Sequence, residues 1–238
     1  MSAQPKINRN RMDPSAGGFY TVQEAARLLN IAQPSRVTAW LEGHKRSSLG
    51  PVVRRQYSPI DAIQELGFLD LLEVRFIDHF RTQGVSLQAL RKAAETARVA
   101  WKQRHPFALS NTQYLTDRKA VFQATATALN DTVLLNLVTR QYAMYVVYED
   151  HLARGVAFDP SSGLAREWHP RPKEFPNLAL NPLIAGGQPA VMPAGVPTAA
   201  IFRTWKSEDG SYNAVSDWYN VDEDLVREAI EFEIGLPN

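Results

Sequence analysis

The stretch "YTVQEAARLLNIAQPSRVTAWL", Tyr20 to Leu41, constrains the fold more than any other part of the chain. Thr21 stands where an N-cap belongs, and Glu24 three residues on completes a capping box, so a helix starts there. Val22, Ala25, Ala26 and Leu29 then recur at helical spacing. Pro34 lacks an N–H and its ring collides with the preceding turn, so no single helix runs through it; the same residue suits the first position of a new helix. Val37, Trp40 and Leu41 give that second helix its own apolar side. Two short helices across a tight turn are the sequence form of a helix-turn-helix.

With Val37, Trp40 and Leu41 turned inward, Ser35, Arg36, Thr38 and Ala39 face out. A helix fits the major groove of a duplex, and Ser, Arg and Thr hydrogen-bond base edges there. Behind it, "GHKRSSLGPVVRRQYS" supplies His44, Lys45, Arg46, Arg54 and Arg55, first in a polar loop and then in "VVRRQYS", which reads as a short strand. A run of cations is by itself most often a solvated face. Placed directly behind a helix-turn-helix, it becomes a candidate for salt-dependent phosphate contact.

A third helical region opens within "SPIDAIQELGFLDLLEVRFIDHFRTQG", with Leu69, Leu72, Val74, Phe76, Ile77 and Phe80 along it and Gly84 as its stop. Ser86 caps a fourth, whose stripe of Leu87, Leu90, Ala94, Ala97 and Trp101 suits either its own domain or a partner helix. From Pro106 the texture changes. "FALSNTQYLTDRKAVFQAT" alternates and predicts short strands or a hairpin, "TRQYAMYVVYEDHLARG" leans to helix, and "GVAFDPSSGLAREWHPRP" predicts strand, turn, strand. "NPLIAGGQPAVMPAGVPT" fits a hairpin about Gly186-Gly187. Short helices follow from Thr198 to Lys206, Ser211 to Tyr219 and Asp222 to Phe232, the last with Asp222, Glu223 and Asp224 at its positive end. The expected fold class is α+β, mainly α. Its divisions are a disordered lead-in at 1–18, a DNA-binding domain at 19–105, a β-containing connector at 106–175 and a small helical domain at 176–238.

Charge separates the two ends. Residues 1–105 hold 16 Lys and Arg against 9 Asp and Glu, and residues 106–238 hold 10 against 16, so +7 faces −6. Between Gly195 and Asn238, Arg203, Lys206 and Arg227 meet nine acids. Such a surface repels phosphate, which favours a protein partner for the rear. Trp205, Trp218 and Tyr219 are of types enriched at interfaces, although aromatics at helical spacing in so small a domain equally suit a core.

No catalytic residue is expected. The chain has no cysteine, and His44, His79, His105, His151 and His169 show no HExxH or paired-ligand spacing, so neither metal nor cofactor is predicted. Neither a GK[ST] phosphate loop nor a GxSxG elbow occurs. Runs such as "YAMYVVY" are too short for a bilayer, and the N-terminal stretch lacks an apolar secretory segment, so a cytoplasmic protein is expected.

Residues 19 to about 104, with "YTVQEAARLLNI", "VTAWL" and "RRQYSPIDAIQELGFLDLLEVRFIDHFRTQGVSLQALRKA", resemble the winged-helix domain of MerR-type regulators. The resemblance places Arg36 and Thr38 on a recognition helix, and Arg54, Arg55 and Tyr57 on a wing that touches the DNA backbone. "NPLIAGGQPAVMPAGVPTAAIFRTWKSEDGSYNAVSDWYNVDEDLVREAIEFE" is similar to a small antitoxin domain, resembling a second helix-turn-helix, that accompanies PIN-nuclease toxins. Joined, the two look like the longer VapB-type antitoxins. That implies an autorepressing antitoxin, homodimeric or larger, which holds operator DNA and neutralises a PIN-type ribonuclease. Arg166 or Arg171 is then placed to enter the toxin's acidic site. An effector-responsive regulator without a toxin, and a purely protein-binding module, are the alternatives.

Overall fold

The computed structural model describes residues 17–43, 50–58, 65–109, 112–139 and 152–237. It mixes helix with antiparallel sheet, helix predominating. β1 (Tyr20–Thr21) leads straight into α1 (Val22–Leu28), where both halves of the capping box form. Thr21 Oγ1 accepts from Glu24 N at 3.1 Å, and Glu24 Oε2 accepts from Thr21 N at 2.8 Å. Asn30 turns the chain in a left-handed conformation, and α2 (Pro34–Glu42) opens on its proline. Ala25, Ala26, Val37, Trp40 and Leu41 are buried together.

Residues 50–58 are irregular, which corrects the strand expected over "VVRRQYS". A strand would send Val52 and Val53 to opposite faces. Instead both are buried, and both N–H groups converge on the Trp40 carbonyl at 2.9 and 3.3 Å. β2 (Glu65–Leu66) pairs antiparallel with β1, and α3 (Phe68–Thr82) follows. Ten of the fifteen residues of α3 are buried, so it is the central helix rather than a one-sided surface element.

Ser86 caps α4 (Leu87–Trp101) by accepting from Ala89 N at 3.1 Å. Leu90, Ala94 and Ala97 are fully buried within the chain, with α5 (Thr112–Leu129) packed against α4, so the stripe serves its own core. α5 overturns the strands expected after Pro106. Among its described side chains Val121, Phe122, Thr125 and Ala126 are buried, a helical and not an alternating set. Phe122 joins Phe76, Phe80 and Phe107 at ring separations of 5.6–6.0 Å. "TDRK" carries no Gly, Pro or Asn to bend the chain, and it lies inside the helix. The middle region is thus helical first, continuing with α6 (Thr132–Thr139), and sheet-bearing only afterwards.

β3 (Val156–Phe158), β4 (Ala165–Trp168), β5 (Leu178–Leu180), β6 (Pro189–Val191) and β7 (Val196–Pro197) form an antiparallel meander in chain order. The strand–turn–strand over 156–168 and the extended pieces flanking Gly186-Gly187 are both present. α7 (Thr198–Ser207), α8 (Tyr212–Tyr219) and α9 (Glu223–Ile234) complete the chain. The sheet borders two apolar clusters: Trp168 and Leu180 belong to the larger one that starts at Tyr20, and Leu178 and Val191 to one made with the last three helices. Residues 1–16 of the lead-in expected at 1–18, residues 140–151 of the helix expected over 139–155, and His44, Lys45 and Arg46 lie outside the described residues. Among the described residues no helix is long and apolar enough to cross a membrane.

Candidate functional site

α2 presents Ser35 and Ala39 to solvent and leaves Arg36 and Thr38 half-exposed. Arg36 does not stand free. Its guanidinium lies 3.3 Å from Asp78 on α3 and 5.3 Å from the centre of the Trp40 ring. Burial pushes the Asp78 carboxyl above the usual range and Arg36 opposes that shift. A half-exposed pair of this kind contributes only ~0–1 kcal/mol, so a phosphate or a base edge can take the arginine over.

Arg54 is exposed and reaches Glu95 of α4 at 2.8 Å. Arg55 is half-buried, and Tyr57 stacks on Phe19 with centroids 4.6 Å apart. Burial, with Asp70 and Glu65 nearby, raises the Tyr57 hydroxyl above its ordinary value, so at neutral pH it is a neutral donor.

Sequence reasoning missed what holds this segment in place. Arg91, Arg98 and Arg104 donate to its main-chain carbonyls: Arg91 Nε to Gly50 at 2.7 Å, Arg98 to Val52, and Arg104 Nε to Arg54 at 3.3 Å with a second bond to Arg55. The signal was present as the basic run Arg91, Lys92, Arg98, Lys102 and Arg104, in a stretch read for its apolar stripe. Arg54, Lys102 and Arg104 border one shallow depression, which adds two exposed cations to those expected.

Beneath lies a buried polar knot. His105 Nδ1 is 3.5 Å from both Asp70 Oδ1 and Glu73 Oε2, and Arg98 is 4.0 Å from Glu73. Asp70 Oδ2 accepts from Gln56 N and Gly67 N at 2.9 Å each, and Glu73 Oε1 accepts from Phe107 N at 3.2 Å. Burial pushes Asp70 up to about 6, although His105 and the two backbone N–H groups pull the other way. The knot binds the 50–58 segment, α3 and the end of α4 into one unit. Among the described residues no acidic and histidine cluster has the makings of a metal site.

At the rear, Arg166 is exposed on β4, and Trp218 is 72% exposed on α8. The other candidates are engaged within the chain. Arg171 lies over Phe175 and Phe232 at 4.5 and 5.1 Å and donates to the Phe232 carbonyl. Trp205 donates its indole N–H to Gly210 O at 2.8 Å, and Tyr219 shares a 2.9 Å hydrogen bond with Thr204. Core and interface readings therefore divide residue by residue.

The two ends also touch. Arg27 of α1 donates to Pro237 O at 3.0 Å and to Glu233 Oε2 at 3.2 Å, while Thr198 donates to Glu233 Oε1 at 2.6 Å. Tyr20 donates its hydroxyl to Gly187 O at 2.6 Å, and Phe19 N to Gly186 O at 3.1 Å.

No protein-family model matches the chain. Over 229 residues it is 25% identical to a Mycobacterium tuberculosis protein described as "Putative antitoxin VapB45", a likeness that covers 90% of this chain and 92% of that protein. The chain resembles a VapB-type antitoxin. Its fold is that of the crystal structure of Rv2018 from Mycobacterium tuberculosis, with a TM-score of 0.66 and 22% identity over 89% of this chain and 96% of the other. A relative of this kind points to a regulatory protein and away from an enzyme.

Proposed function

We propose that the chain is the antitoxin of a toxin–antitoxin pair that binds its own operator through the front and blocks a PIN-type ribonuclease through the rear. The likeness to a protein described as an antitoxin, over nine-tenths of the chain, carries this reading. In it, residues 19–105 are the winged-helix reader and 176–238 the toxin-binding domain. Ser35, Arg36 and Thr38 meet base edges. Arg54, Arg55 and Tyr57 meet the DNA backbone, joined by His44, Lys45 and Arg46 from the neighbouring loop and by Lys102 and Arg104. Two copies hold a palindromic site, since two-fold proteins match two-fold duplexes. Arg166 and Trp218, presented to solvent, are the first toxin contacts.

What supports the split is chemistry. The front offers donors and cations around an exposed helix face, whereas the rear carries acids that repel phosphate. The test is twofold. Mobility shifts on the duplex upstream of its own gene should give a complex that weakens steeply with salt. Arg36→Ala should lose discrimination between sequences, and Arg54→Ala should weaken all duplexes and lower the salt slope by about 1. Failure to bind any duplex at low ionic strength overturns the DNA half. A neighbouring PIN-type ribonuclease that stays fully active at equimolar antitoxin overturns the other half.

A further inference from the structure

α2 carries a single cation, Arg36, and two contacts hold its guanidinium. One is the Trp40 ring, whose centre is 5.3 Å away; Trp40 is buried, so it cannot follow the arginine when that turns outward. The other is Asp78 of α3, whose Oδ1 lies 3.3 Å from the guanidinium, with the two side chains 37% and 21% exposed. Distance alone would suggest a closed salt bridge. Yet Asp78 Oδ1 is covered from solvent and accepts no hydrogen bond, so charge and not an aligned N–H holds the pair.

The pair can therefore open without breaking a hydrogen bond, but opening it leaves a covered carboxylate without its cation. Burial already disfavours the charge on Asp78, and Arg36 is the group that opposes burial there. Each turn of Arg36 towards a base edge thus carries a cost set on α3, outside the face that meets the duplex. On a duplex of the wrong sequence Arg36 finds no base to bond and stays on Asp78, so the cost falls on the operator alone.

We propose that Asp78 is a positioning residue of the DNA-reading face: it keeps Arg36 against Trp40 in the free chain and opposes its release, holding operator affinity below what the same face would reach without it. The inference rests on the reading of Ser35, Arg36 and Thr38 as base contacts, and adds to them a residue that touches no DNA.

The test compares the duplex upstream of the chain's own gene with a scrambled duplex of equal length at low ionic strength. Asp78→Asn should raise the ratio of the two affinities about three- to fivefold, as far as a half-exposed pair permits. Asp78→Ala, a second neutral replacement, should act alike, and Asp78→Glu, which keeps the charge, should leave the ratio near that of wild type. In an Arg36→Ala background Asp78→Asn should not move the ratio, whereas simple removal of a negative charge near DNA strengthens both duplexes equally. Asn is close to Asp in size and lacks the charge that burial disfavours, so the fold is kept, and a urea midpoint no lower than wild type checks it. Where wild type binds the duplex, an unchanged or lower ratio in the neutral variants overturns the proposal and leaves the DNA reading standing. So does a rise that persists without Arg36. Where wild type binds no duplex, the DNA reading falls and this proposal falls with it.

Discussion

The buried carboxylates of the front and those of the seam between the two ends are handled differently. At the seam, Glu233 has one oxygen on Thr198 and the other on Arg27. In the front, Asp70 and Glu73 share the surroundings of one imidazole and one guanidinium, and Asp70 Oδ1 and Glu73 Oε2 accept no hydrogen bond. Burial therefore wins at Asp70 and lifts it to about 6. The seam is matched donor to acceptor. The front knot holds negative charge in place with less than full compensation, so it should be the more sensitive to loss of a cation and to pH.

The largest effect should come from removing the arginine that compensates the knot. Arg98 is 6% exposed and Glu73 fully buried. Breaking a buried pair by deleting one partner costs ~3–5 kcal/mol, because the other charge stays behind. Arg98→Ala should lower the unfolding free energy in urea by that order. A loss below ~1 kcal/mol would mean that Arg98 does not compensate the buried Glu73 and that the contrast with the seam is false. At the seam the vulnerable feature is space. Gly187 has φ 82°, and a Cβ there would sit 2.6 Å from the Tyr20 hydroxyl and 2.8 Å from Gly18 Cα. Gly187→Ala should cost about 1–3 kcal/mol by the same measurement. Gly186→Ala, whose added Cβ meets nothing within 4 Å, should cost less.

A smaller effect, with a definite sign, separates the two carboxylate environments by pH. The folded value of Asp70 lies above its ordinary one, so the folded state holds this proton more tightly than the unfolded chain does. Stability from this group is fully present below about 4 and is lost as pH rises towards about 6 and beyond. Asp70→Asn keeps an oxygen for Gln56 N and Gly67 N and removes the charge. Between pH 7 and pH 5 the wild type should gain about 1 kcal/mol relative to Asp70→Asn. If the two urea midpoints move in parallel across that range, Asp70 is not the group responsible.

Legibility in the sequence followed the range of the interactions. The capping box at Thr21, the proline opening α2, the Ser86 cap and the three rear helices depend on neighbours three or four residues away, and all could be read directly. α5 could not, because its apolar residues meet phenylalanines some 15 to 46 positions back, and only that packing decides between a helical and an alternating reading. For the hold on the 50–58 segment only the donors, in the basic run from Arg91 to Arg104, stood in the sequence. Its acceptors are main-chain carbonyls, which every residue possesses, so no spacing betrays them. Tyr20 to Gly187 and Arg27 to Glu233 join residues 167 and 206 positions apart. At the rear, residue type alone could not tell Trp205, whose N–H is taken by Gly210, from Trp218, which faces solvent.

That last pair gives the smallest stability effect and the sharpest separation of core from surface. Trp218 is 72% exposed, so truncating it removes little buried area, and Trp218→Ala should leave the urea midpoint within about 0.5 kcal/mol of wild type. Trp205 stacks near Phe202 and Tyr212 and donates to Gly210, so Trp205→Ala removes packing and leaves a carbonyl without its donor. It should destabilise by ~2 kcal/mol or more. Toxin binding by calorimetry should show the reverse order, with Trp218→Ala costing more than tenfold in affinity while the fold stays intact. Equal affinity for wild type and Trp218→Ala would move the toxin contact to another part of the rear, with Arg166 on β4 next in line, because it too is held out to solvent.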